Sequence, residues 1–146
     1  FNTSSVATME EMFKDAESFN QLLNFDTSSV TTMEGMFQYA FSFNQPLNNW
    51  DVSNVTSMYR MFDGAESFNQ PLNNWNVSKV TNMDRMFASA HSFNQPLNNW
   101  NVSKVTNMGE MFNGATSFNQ PLNKWMPRTV NGTGHTGPSE FCATSI

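Results

Sequence analysis

Phe43-Asn44-Gln45-Pro46-Leu47-Asn48-Asn49-Trp50-Asp51-Val52-Ser53-Asn54-Val55-Thr56-Ser57-Met58-Tyr59-Arg60-Met61-Phe62-Asp63-Gly64-Ala65-Glu66-Ser67 is followed at once by a copy of its own beginning, Phe68-Asn69-Gln70-Pro71-Leu72-Asn73. The same six residues recur at Phe93 and Phe118, and tryptophan recurs at Trp50, Trp75, Trp100 and Trp125, a period of 25 residues. Phe25 and Phe1 take the tryptophan's place earlier in the chain. Self-similarity at a fixed period of this size marks a repeat architecture, in which each unit is too small to bury its own apolar face and does so against its neighbours. The units run 1–24, 25–49, 50–74, 75–99 and 100–124, with a partial unit at 125–130 and a Gly/Thr/Pro-rich tail or strap at 131–146. Positions within a unit are numbered by the residues of the first.

The apolar spacing within a unit sets the expected local structure. Met58, Met61, Phe62, Ala65 and Phe68 fall at i, i+3, i+4, i+7 and i+10, one face of a short helix. Gly64 and Gly114 suit a helix stop. Trp50-Asp51-Val52 alternates apolar and polar, which fits a short strand. The expectation is therefore an α/β solenoid, a right-handed stack of short parallel strands and short helices in about five coils. Positions 1, 3, 6, 9, 12, 13, 16, 19 and 23 should face inward, and positions 10, 11, 14 and 17 outward. The array opens inside a unit and lacks a polar cap, so a neighbour is expected to cover each end.

Composition narrows the partners. Charged residues are 13% of the chain, so Asn, Gln, Ser and Thr must build most of the polar surface. A net charge of −5 argues against nucleic acid, whose phosphates demand a cationic face. No apolar run is long enough for a membrane span. The single cysteine, Cys142, permits no internal disulfide and no thiolate zinc site.

The pattern Asn-x-Trp-Asp-x-Ser-x-Val-x-x-Met-x-x-Met-Phe-x-x-Ala, read through Asn48, Trp50, Asp51, Ser53, Val55, Met58, Met61, Phe62 and Ala65 and repeated in tandem, resembles the DUF285 repeat, also called the BspA-like leucine-rich surface-protein repeat. The resemblance runs from residue 1 to near 130. It implies a leucine-rich-repeat-like solenoid, secreted or held at the cell surface, and implies little about activity, since the family offers no shared catalytic residues to map onto this chain. Phe1 and Phe25 for Trp, Thr3 and Thr27 for Val, and Leu22 for Pro depart from the pattern in the first two units.

Several groupings admit a functional reading. Asn20, Asn44, Asn69, Asn94 and Asn119 form one column, Asn24, Asn48, Asn73, Asn98 and Asn123 another, and both read first as hydrogen-bonded ladders that close turns. The Met-x-x-Met-Phe stripe has thioether ligands that suit copper, but its helical spacing reads as core. Asp26, Asp51, Asn76 and Asn101 should point outward in a row; two carboxylates fall short of the six to eight oxygens calcium wants. Phe41, a large apolar group at an otherwise polar position, and Tyr59 with Arg60 are candidates for a protein partner on the helix side. The sequons at Asn2, Asn54, Asn76, Asn101 and Asn131 are glycosylation candidates. His91, His135 and Cys142 have no partners that the sequence brings together, and no metal, cofactor or catalytic residue is assigned.

The functional expectation is a non-enzymatic extracellular or cell-surface module that binds a protein or a glycan. The alternative is an architectural subunit of a larger filament or appendage, with further copies of itself as partners. Ice or crystal-surface binding through Thr31, Thr56, Thr81 and Thr106 ranks last, because the row is short and single.

Overall fold

A computed structural model describes residues 1–125. The partial unit after Trp125, the tail 131–146 and with them Asn131, His135 and Cys142 lie outside the described residues.

Successive units stack face to face, and aromatic columns form the axis of the core. Phe13, Phe37, Phe62, Phe87 and Phe112 stack with centroids 5.5, 5.6, 5.5 and 5.7 Å apart and rings within 5° of parallel. Phe19, Phe43, Phe68, Phe93 and Phe118 make a second column at 5.9–6.0 Å. Within a unit the two columns touch, as in Phe62 and Phe68 at 4.2 Å. Each such pair adds about 0.5–1.5 kcal/mol beyond simple burial. The tryptophans close one edge. Trp75, Trp100 and Trp125 stack at 6.5 and 6.2 Å, and each indole N–H donates to a leucine carbonyl 28 residues back, as Trp100 does to Leu72 at 2.9 Å. Positions 3, 6, 9, 12, 13, 16, 19 and 23 are buried in every unit from 25 to 124, as expected; position 1 is buried at Trp50, Trp75 and Trp100 but only half-buried at Phe25. Thr3 and Thr27, which replace valine, are buried too; each hydroxyl donates to the carbonyl of the next unit's position 2, at Asp26 and Asp51.

The α/β stack of short helices and strands is not what forms. Among the described residues there is no helix and no sheet; parallel pairing is confined to isolated single-residue bridges, Thr8 to Thr32, Thr32 to Ser57, Ser57 to Asn82 and Asn82 to Asn107. The reason lies in the backbone at positions 11 and 15. Glu11, Gly35, Arg60, Arg85 and Glu110 all have φ between 51° and 58°, and Asp15, Tyr39, Gly64, Ser89 and Gly114 between 53° and 74°. A right-handed helix needs negative φ throughout. With two left-handed residues per unit, alternate N–H groups turn out of the unit. Those of Met58, Arg60, Phe62 and Gly64 donate to the carbonyls of Asn82, Asp84, Met86 and Ala88 one unit on. Those of Met61, Asp63, Ala65 and Phe68 close tight turns onto the carbonyls three residues back. This alternation buries the same 3-and-4-spaced side chains a helix would bury. Gly64 and Gly114 therefore serve a left-handed turn and do not stop a helix.

Two finer expectations change with it. Trp50-Asp51-Val52 does alternate in and out, but Val55 N–H bonds back to Val52 and Asp51 Oδ1 accepts the Ser53 N–H, so the segment is a turn. Position 14 was expected outside, yet Gln38, Asp63 and Ala88 are buried there, because the left-handed residues on either side fold it back.

Candidate functional site

Asp26, Asp51, Asn76 and Asn101 are exposed in a row, as expected. Each uses Oδ1 to accept the N–H two residues on, from Ser28, Ser53, Ser78 and Ser103, at 2.9–3.2 Å. The row is thus a series of Asx turns in which one oxygen holds the backbone and the remaining polar atoms face solvent. The hydrogen bonds from Ser28 and Ser53 hold the Asp26 and Asp51 carboxyls below the ordinary aspartate range. Beside this row lies a cavity of about 410 Å³, lined by Asn98–Ser103 and Lys124. Among the sequons, Asn2, Asn54, Asn76 and Asn101 are all exposed, but Asn54 Nδ2 already donates to the Ser28 carbonyl at 2.9 Å.

The other candidate residues separate into two clusters. Arg60 lies over the Tyr59 ring, 5.1 Å from its centroid, with Nε 3.8 Å from Asp63 Oδ2. Phe41 is half-buried and packs with Tyr39, centroids 6.3 Å apart and rings tilted by 53°. Tyr39 in turn covers Gly64, where an added Cβ would come within 2.5 Å of the ring. His91, read from sequence as having no partner, comes within 3.9 Å of the Glu66 carboxylate, both half exposed.

A cavity of about 130 Å³ beside Tyr59 and Arg60 was not read from the sequence. Glu10, Glu11, Lys14, Glu34, Gly35 and Gln38 complete its lining. Its cause is a missing side chain. Position 11 holds Glu11, Arg60, Arg85 and Glu110, but Gly35 leaves a gap one unit deep. The signal that could have found it is the glycine itself, the single break in that column.

The asparagine columns are structural in their contacts. Asn44 Oδ1 accepts the Asn69 N–H at 3.0 Å and a Gln70 Nε2 proton at 3.0 Å, and Asn20, Asn69 and Asn94 repeat the pattern. In the second column, Asn98 accepts from Lys124 N–H and donates to Asn123 Oδ1. The threonine row is likewise engaged, each hydroxyl donating to a carbonyl of the preceding unit at 3.2 Å.

A stack of 25-residue units with an aromatic core, tight turns and amide ladders defines a tandem-repeat protein whose exposed residues are chiefly polar. The chain belongs to the DUF285 family, described as Mycoplasma protein of unknown function; the family model matches residues 1–87 and again 48–136. No curated protein and no solved structure matches the chain.

Proposed function

We propose that this chain is a non-enzymatic binding module, working outside the cell or at its surface, that holds a protein or glycan partner on the sides of the stack. The observation that carries this reading is a division of labour between backbone and side chains. At positions 9, 11, 13 and 15, cohesion between units is main chain to main chain. The side chains at positions 10 and 11 are therefore free to differ, and they do: Glu10, Glu34, Tyr59, Asp84 and Gly109, then Glu11, Gly35, Arg60, Arg85 and Glu110. A partner with a unique surface reads such variation. The row Asp26, Asp51, Asn76 and Asn101, alike in its Asx-turn geometry, suits a repetitive ligand, such as a polysaccharide. The extracellular setting rests on the resemblance to surface-protein repeats and on an amide- and hydroxyl-rich composition with 13% charged residues.

That same row favours the architectural reading, since an identical stack is also a repetitive partner. Ice binding is weakest, because the threonine hydroxyl protons are already engaged with backbone. The test compares two variants in partner capture, glycan-array binding and sedimentation. One replaces Asp51, Asn76 and Asn101 together, and the other replaces Phe41 and Arg60. Loss of capture in either, with the fold intact, supports a binding module. Loss of ordered assembly alone favours the architectural reading. No change in either variant contradicts both.

A further inference from the structure

The notch at Gly35 is more than a gap. We infer that it is a socket for a primary ammonium group, carried by a lysine side chain of a partner protein; this rests on the binding-module reading and names the chemistry of one contact. The walls are richer in acceptors than in donors. Gln38 is only 4% exposed, and its Nε2 donates to Asp63 Oδ2 at 3.2 Å. An ionised carboxylate accepts only, which fixes the amide orientation and turns Oε1 the other way. Gln38 Oε1 lies 3.4 Å from the point where a Cβ on Gly35 would stand, and among the described residues no hydrogen bond reaches it. The amide oxygen of a nearly buried residue thus faces the notch with no protein donor on it, open to a donor brought by a ligand.

The charges agree. Two cations line the notch, but each has its own counter-ion. Lys14 Nζ is 2.8 Å from Glu11 Oε1, and Arg60 sits between the Tyr59 ring and Asp63, its buried Nε 3.8 Å from Asp63 Oδ2 and without a hydrogen bond. Glu10 and Glu34 remain; Glu34 accepts the Ser57 hydroxyl through Oε1, which leaves its second oxygen. Two carboxylates and an amide oxygen around a space of about 130 Å³ suit a compact ammonium with three donors better than a planar guanidinium, which seeks a bidentate carboxylate.

The glycine makes a clean test possible. Arg60 and Arg85 occupy the same position at φ of 53° and 55°, beside 58° at Gly35, so the backbone there tolerates a side chain. A Cβ on Gly35 would meet Glu11 and Gln38 only at ordinary contact distance. Gly35→Arg should therefore fold while filling the notch with a like-charged group. The full chain, labelled with ¹⁵N, is titrated with Nα-acetyl-lysine amide, with Nα-acetyl-glutamine amide as the uncharged control. The expected result is saturable movement of the Gly35, Gln38 and Tyr59 amide signals by the lysine probe alone, weakened by salt and abolished in Gly35→Arg. A second variant, Glu10→Gln with Glu34→Gln, leaves the backbone untouched and should also abolish it. The inference is overturned if these amides do not move, if the glutamine probe moves them equally, or if either folded variant responds like the parent. Partner capture that persists while the lysine probe fails would remove the socket and leave the binding-module reading standing.

Discussion

The segment at positions 9–15 and the segment at positions 20–21 both bind one unit to the next, and they do it by opposite means. At 9–15 the bonds run from backbone N–H to backbone carbonyl, Arg60 to Asp84 and Phe62 to Met86 among them. At 20–21 they run through side-chain amides, Asn69 Oδ1 to Asn94 N–H and Gln95 Nε2 among them. Where the backbone holds the stack, the outward residues range over Glu, Gly, Arg, Tyr and Asp; where side chains hold it, Asn-Gln recurs without change from Asn20 to Gln120. Variation therefore marks freedom from structural duty, and freedom is what a recognition surface requires.

The comparison can be broken most severely through the core that both segments share. Phe87→Ala should cost about 3–5 kcal/mol in denaturant unfolding. Its ring meets Phe62 at 5.5 Å, Phe112 at 5.7 Å and Phe93 at 4.1 Å, so hydrogen exchange should quicken in the units on both sides. Exchange that quickened only within 75–99 would show that the columns do not couple.

Next comes the amide ladder set against the variable turn. Asn69→Ala removes the acceptor for Asn94 N–H and Gln95 Nε2 and should cost about 1–3 kcal/mol. Arg85→Ala breaks a 2.7 Å pair with Glu110 that is open to solvent and should cost about 0–1 kcal/mol. Equal losses in thermal unfolding would erase the proposed division of labour.

A third test addresses the left-handed turns. Gly64→Ala should destabilise by about 1–3 kcal/mol, through its φ of 71° and the clash with Tyr39. Tyr39→Ala in the same chain should recover the part due to the clash, which a double-mutant cycle measures. An unchanged melting temperature in Gly64→Ala would mean that this turn is not left-handed.

The smallest effects are those of pH. Hydrogen bonds from Ser53 lower the folded pKa of Asp51, so the folded state binds fewer protons; its stabilisation is present above the ordinary aspartate range and is lost as pH falls through the folded value. Asp63 has the opposite sign. Burial raises its pKa against the opposing pull of Arg60, so stability falls as pH rises from the ordinary aspartate value through the raised one. Asp51→Asn should flatten the acid limb of the stability curve, whereas Asp63→Asn should remove the loss just above it. Matching curves for the two variants would contradict the assignments.

Much of this was legible in the sequence. The period, the inward positions and the asparagine ladder all follow from a 25-residue repeat whose apolar columns must coincide. The helix was the error, and its cause is specific. Tight turns closed three residues back place Met58, Met61, Phe62 and Ala65 on one face just as a helix does, so burial alone does not separate them. What separates them is positive φ at Arg60, Tyr39 and Ser89, residue types that carry no left-handed signal. Gly35, Gly64 and Gly114 did carry it, and Gly64 and Gly114 were open to reading as helix stops. The row from Asp26 to Asn101 was legible as exposed, but its turn-holding role was not, because a strand was expected there. The notch needed Gln38 to be buried, and a helical reading put that position outside.

One measurement reaches the centre of this account, because everything on the variable face depends on where the backbone hydrogen bonds go. Couplings through hydrogen bonds, observed by NMR between amide nitrogens and carbonyl carbons, should join Arg60 to Asp84 and Phe62 to Met86, each one unit away. A helix would instead join Arg60 to Thr56 and Phe62 to Met58, four residues back. The first pattern confirms that the main chain holds the stack and leaves the side chains free; the second would contradict it.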